Sequence, residues 1–90
     1  MITNWQIVYV ASVSKADLPR IDTHSRTRIA NAITVKLTAN PIHYGKPLRY
    51  GKSGQRSLRV GDYRVIYVIK PDTNQVIILA IGHRRDIYEE

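Results

Sequence analysis

The sequence predicts an α+β fold, a small antiparallel β-sheet with a two-helix hairpin near the N-terminus packed on one of its faces. An uncharged, β-branched and aromatic stretch comes first and an apolar stripe at helical spacing second. The latter half breaks into short apolar runs divided by Gly, Pro, Asp and Asn. Ninety residues with 43% hydrophobic content suffice for one modest core, so residues 1–90 read as a single domain.

Trp5 to Val10 is the first strand, because β-branched and aromatic side chains suit a pleated, half-buried surface. Ser12 or Ser14 then caps a short helix through Leu18, whose later turns Pro19 disrupts unless it sits in the first one. Asp22 or Thr23 caps the next helix. Its stripe of Ile29, Ile33 and Leu37, filled in by Ala30, runs until Asn40-Pro41 stops it. Pro41 to Gly54 is rich in Pro, Gly, His, Tyr and Lys and reads as an exposed connection with a brief strand at Leu48 to Tyr50. Arg56 to Val60 and Tyr63 to Lys70 are strands joined by Gly61-Asp62, a glycine-first loop suited to a type II′ turn. Pro71 to Asn74 makes the next reversal, Gln75 to Gly82 the last strand, and His83 to Glu90 a short polar tail.

The two-residue loop fixes a register. Val60 falls opposite Tyr63, Arg59 opposite Arg64 and Leu58 opposite Val65. Leu58, Val60, Tyr63, Val65, Tyr67 and Ile69 then form the face beneath the helices. Arg59 and Arg64 share the other face with Ile66, Val68, Ile77 and Leu79, which is too apolar to stay fully wet. A partner helix, the chain's own tail or a dimer contact are the candidates to cover it. Carried through the turn at 71–74, the register pairs Tyr67 with Ile78 and Arg64 with Ile81, and sets His83 on the arginine face.

Charge narrows the function. Fourteen Lys and Arg against seven Asp and Glu give a formal net charge of +7, which favours an anionic partner, nucleic acid or an acidic protein, over a membrane. No run approaches the roughly 18 apolar residues of a membrane span. Met1-Ile2-Thr3-Asn4 lacks a signal-peptide layout, so a cytoplasmic protein is expected. Without cysteine there is no thiol nucleophile or thiolate site, and His24, His43 and His83 lack metal-ligand spacing; neither metal nor cofactor is expected.

Two guanidiniums facing across a ladder repel by a few tenths to roughly 1 kcal/mol, a cost that an intervening phosphate relieves. Taken alone, Arg59 and Arg64 read as readily as solvated arginines, one of them paired with Asp62 or Asp86. Their surroundings tip the reading toward RNA. Lys46, Arg49, Lys52 and Arg56 precede them, Tyr44, Tyr50 and Tyr63 are interleaved, and Asp62 is the one acid in the run. Cations neutralise phosphates and aromatic faces stack on splayed bases. His83 and Tyr88, by position alone, suit packing as well as chemistry.

Together, Arg56-Ser57-Leu58-Arg59-Val60-Gly61-Asp62-Tyr63-Arg64-Val65-Ile66-Tyr67 and Ile81-Gly82-His83-Arg84, with Asn40-Pro41 and Gly45-Lys46-Pro47-Leu48 before them, resemble the RelE/ParE toxin superfamily over nearly the whole chain. The resemblance implies a small antiparallel sheet carrying a helical pair. In the RelE-like branch it implies cleavage of messenger RNA on the ribosome, without a metal, by attack of a ribose 2′-hydroxyl on the adjacent phosphate. Carried over, the implied catalytic set is Arg59, Arg64, Arg84 and Tyr88. Ser57 stands where that branch has a lysine, with Arg56 or Lys52 placed to reach in. No carboxylate occupies an evident general-base position, leaving His83 as the substitute, and the tail is two residues shorter between Arg84 and Tyr88. The implied partners are the ribosome, messenger RNA and a cognate antitoxin, whose complex with the toxin is expected to bind operator DNA. The alternatives are a ParE-like poison of DNA gyrase, on the same fold, and a basic binding module without catalysis.

Overall fold

The computed structural model describes residues 4–48 and 54–86. Arg49, Lys52 and Tyr88, and the end of the strand expected at Leu48 to Tyr50, lie outside the described residues. Five strands form one sheet in the order β1-β5-β4-β3-β2, with β1 Gln6–Tyr9, β2 Lys46–Pro47, β3 Gln55–Val60, β4 Tyr63–Lys70 and β5 Gln75–His83. β2 to β5 are antiparallel as expected. β1 runs parallel to β5, from Gln6 beside Gln75 to Tyr9 beside Ile78.

Helices cover one face. The first helical segment is a π turn, Val13–Asp17, running into a 3-10 turn, Leu18–Arg20. Ser12 precedes it without a side-chain capping bond. Pro19 lies at the start of the 3-10 turn, where the π turn gives way. Asp22 caps α1, Thr23–Ala32, by accepting from the Ser25 N–H at 3.0 Å, and that bond holds its carboxyl below the usual carboxylate range. The helix continues as a π turn, Ile33–Leu37, and the predicted stripe of Ile29, Ile33 and Leu37 is fully buried.

Asn40-Pro41 ends this helix and starts another, within the stretch expected to be an exposed connection. Asn40 accepts from the His43 N–H at 3.1 Å, and Pro41 occupies the opening position of α2, Pro41–Tyr44. A two-residue strand, β2, stands just before the stretch where a brief strand is expected, and the Leu48 N–H still bonds the Gln55 carbonyl at 3.0 Å. At Gly45 a Cβ would stand 1.8 Å from the Tyr67 hydroxyl, so only glycine lets the chain pass this close to the sheet. The Tyr67 hydroxyl donates to the Pro41 carbonyl at 2.6 Å, and burial raises its pKa above the ordinary tyrosine value. The core joins Val13, Ile21, Ile29, Ile33 and Leu37 from the helices to Leu58, Val65, Tyr67, Val76, Ile78 and Ile81 from the sheet.

The β3–β4 register is the predicted one, with Gly61 at φ +60 and Arg59 opposite Arg64. The β4–β5 register holds from Lys70 opposite Gln75 to Tyr67 opposite Ile78 and then shifts, Ile66 pairing with Ala80. Leu79 is the extra residue of a β-bulge. Arg64 therefore pairs with Gly82 rather than Ile81, and His83 falls opposite Tyr63 on the helix-covered face, not beside the arginines. The reason is burial. An unbroken ladder would turn Ala80 and Gly82 toward the core and Ile81 away from it, whereas the bulge seats Ile81 against Val65 at 3% exposure. Beyond Tyr9 the outer edge of β5 is met by the first helical segment, where the Asp17 carboxylate accepts from the Ile81 N–H at 2.9 Å. Among the described residues, no helix is long and apolar enough to cross a membrane.

Candidate nucleic-acid interface

Strand alternation sorts the open face of the sheet into rows. The row nearest the Gly61-Asp62 loop is Arg59, Arg64 and Gly82; the next is Lys46, Ser57, Ile66 and Ala80; and further on come Gln55, Val68, Ile77 and Val8. One end is cationic and the other apolar. Arg59 is exposed and Arg64 half-buried, and the Arg59 Nε donates to the Gly61 carbonyl at 3.3 Å, which draws that side chain back over the turn. Gly82, opposite Arg64, adds no side chain to the row. Ser57 and Ile66, in the next row, are buried.

Arg84 follows the last strand. Its N–H donates to the Asp62 carbonyl at 2.7 Å, extending the ladder one residue past His83. Arg84 opens the turn at 84–86, next to the Gly61-Asp62 loop at the Arg59–Arg64 end of the sheet. Arg59, Arg64 and Arg84 thus stand at one end of the sheet, with Lys46 one row away. Planar guanidiniums are suited to bonding phosphate oxygens.

Two predicted site residues lie elsewhere. Arg56 pairs with Tyr67, on the helix-covered face, and one guanidinium nitrogen donates to the carbonyls of Ile42 at 2.6 Å and Gly45 at 2.7 Å. It is an internal clamp and does not reach in beside Ser57. His83 meets the Tyr63 ring edge-on at 5.5 Å between centroids, and its Nδ1 accepts from the Arg85 N–H at 3.3 Å. Both rings line a cleft of about 420 Å³ with Asp17, Arg20 and Asp86, on the other side of the sheet from Arg64. The Arg56 assignment was readable, since it shares alternation with Leu58 and Val60. The bulge that moves His83 has no turn-residue signature at Leu79. Among the described residues, no three His, Cys, Asp or Glu side chains are grouped to hold a metal ion.

Comparison with known proteins gives a consistent result. Residues 8–88 match the family described as ParE toxin of type II toxin–antitoxin system, parDE. The toxin RelG of Mycobacterium tuberculosis is 32% identical over 81 residues, covering 90% of this chain and 93% of that protein. The toxin RelE of the same organism is 33% identical over 81 residues, covering 90% and 84%. Among solved structures, the M. tuberculosis toxin–antitoxin complex RelBE2 superposes with a TM-score of 0.84 at 26% identity, over 93% of this chain and 95% of that one.

Proposed function

The chain belongs to the RelE/ParE toxins of type II toxin–antitoxin systems, and from that membership we propose that it cuts messenger RNA on the ribosome. The observation that carries this reading is the facing pair Arg59 and Arg64 at the open, cationic end of the sheet. In the reaction the ribose 2′-hydroxyl attacks the adjacent phosphorus. The new O–P bond forms as the bond to the 5′-oxygen of the next nucleotide breaks, giving a 2′,3′-cyclic phosphate. The 2′-hydroxyl loses a proton and the leaving oxygen gains one.

Negative charge grows on the non-bridging oxygens, and guanidiniums fixed by a β-ladder stabilise it without reorganising. We assign that role to Arg59, Arg64 and Arg84, and stacking or proton transfer to Tyr88. His83 has no part in this scheme, because the sheet separates it from Arg64. A cognate antitoxin is the expected partner, as in the RelBE2 complex, with acidic residues over the arginine row and an amphipathic helix along Val8, Val68 and Ile77. We place the protein and that complex in the cytoplasm, the complex binding operator DNA.

Primer-extension mapping of transcripts after induction tests the proposal. Discrete cuts are expected with the wild type, and their loss with Arg64→Ala. Growth arrest with uncut transcripts would overturn it. The second reading, a gyrase poison, is favoured by the match to a family described as ParE toxin and by the position of His83 off the arginine face. Gyrase-dependent double-strand breaks with intact transcripts would establish it instead.

A further inference from the structure

Lys46 and Arg56 were grouped by sequence into a single basic run, and the sheet separates them. Lys46 is opposite Ser57, so its side chain rises from the open face, and Arg56, one residue before Ser57, points to the covered one. Ser57 is small and only 5% exposed, so it contributes nothing above its row. Arg59 is two residues from Ser57, which makes it the diagonal neighbour of Lys46, with Cα atoms about 7–8 Å apart in such pairs and within reach of two long side chains.

β2 is two residues long, and the Leu48 N–H bond to the Gln55 carbonyl at 3.0 Å extends its pairing with β3, a short ladder that leaves Lys46 lightly held at its start. Arg56 adds a second hold. Its guanidinium bonds the carbonyl of Gly45, the residue directly before Lys46, and that of Ile42 in α2. Tyr67 fixes the start of the same helix through Pro41.

We infer that Lys46 is a further RNA-phosphate contact on the arginine face, and that Arg56 is the positioning residue that holds it there from the reverse side of β3. The inference rests on the proposed RNA-cleaving reading and adds to it the route of the bound strand, from the Arg59–Arg64 row across Ser57 toward β2. A strand on this path has one phosphate over the arginine pair and a neighbouring phosphate over Lys46.

The test is salt-dependent binding of the full chain to a short 2′-O-methylated single-stranded RNA, which lacks the attacking hydroxyl and so reports binding alone. Losing one phosphate contact flattens the plot of log affinity against log salt by about 0.7 for a single strand. Lys46→Ala is expected to show that flattening and Lys46→Arg to restore the wild-type slope. Arg56→Gln is expected to match Lys46→Ala, with the double variant no flatter than either single one. Tyr67→Phe loosens α2 but leaves the Gly45 carbonyl bonded; it is expected to lower the melting temperature and keep the slope. If Arg56→Gln does not fold, Arg56→Lys, whose shorter side chain reaches the two carbonyls less closely, is expected to give an intermediate slope. A wild-type slope with a lowered melting temperature in the folded Arg56 variants would overturn the positioning role. A wild-type slope for Lys46→Ala while Arg64→Ala flattens would overturn the inference and leave the proposed function standing. Unchanged slopes for both would remove the arginine face itself as the RNA surface.

Discussion

β3–β4 reverses on two residues and keeps one register from Val60 opposite Tyr63 to Gln55 opposite Val68, whereas β4–β5 reverses through the 3-10 turn Pro71–Thr73 and Asn74 and gains a residue at Leu79. The hairpins share β4, yet they do different things for the surface. The even one sets two guanidiniums in the same row. The bulged one decides which side of the sheet each residue after Leu79 belongs to, bringing Gly82 beside Arg64 and sending His83 to the cleft behind.

Ile81→Ala breaks this comparison most directly. Ile81 reaches the core only because of the bulge, so the substitution should cost about 2–5 kcal/mol in chemical denaturation, with Leu79→Ala costing far less; equal small effects would mean the ladder is unbroken. Next in size is the contrast between Arg64→Ala and His83→Ala. Removing a fixed donor to a developing oxyanion should slow cleavage about 10²-fold or more, while His83→Ala should leave single-turnover cleavage on programmed ribosomes close to wild type. Tyr67→Phe, on the strand common to both hairpins, strips the Pro41 carbonyl of its buried partner and should cost about 1–3 kcal/mol, read as a lower denaturation midpoint. Gly61→Ala puts a side chain at φ +60 and should cost about 1–2 kcal/mol without altering the other hairpin.

The smallest effect is alkaline. Burial holds the hydroxyls of Tyr67 and Tyr9 above the ordinary tyrosine pKa of 10.0, so the folded chain releases these protons later than the unfolded one. Their stabilisation is complete below that value and is lost as pH rises through the folded pKa values. Melting temperature should fall above it, and less steeply in Tyr67→Phe.

Turn chemistry made the first hairpin legible. A glycine-first loop admits few conformations, and every pair above it follows by counting. The same counting, applied to Arg56, places it with Leu58 and Val60, and its charge misled because clustering in sequence was taken for clustering in space. Asn40-Pro41 was legible as a stop but not as a start, since capping residues read the same at either boundary. The bulge was not legible at all. It is set by the preference for Ile81 over Ala80 and Gly82 in the core, a packing decision that spans β4, β5 and the helices. The cationic row therefore came through from sequence, while its expected proton carrier did not.

The bond from the Ile81 amide to Asp17 has a consequence for how the molecule behaves in company. β1 shields only the beginning of β5, and an exposed sheet margin is where foreign chains most readily zip on. Here a newcomer would have to displace a carboxylate already satisfied by that amide and leave it stranded. Crowded copies of this strongly basic protein are thereby discouraged from growing into one another's sheets.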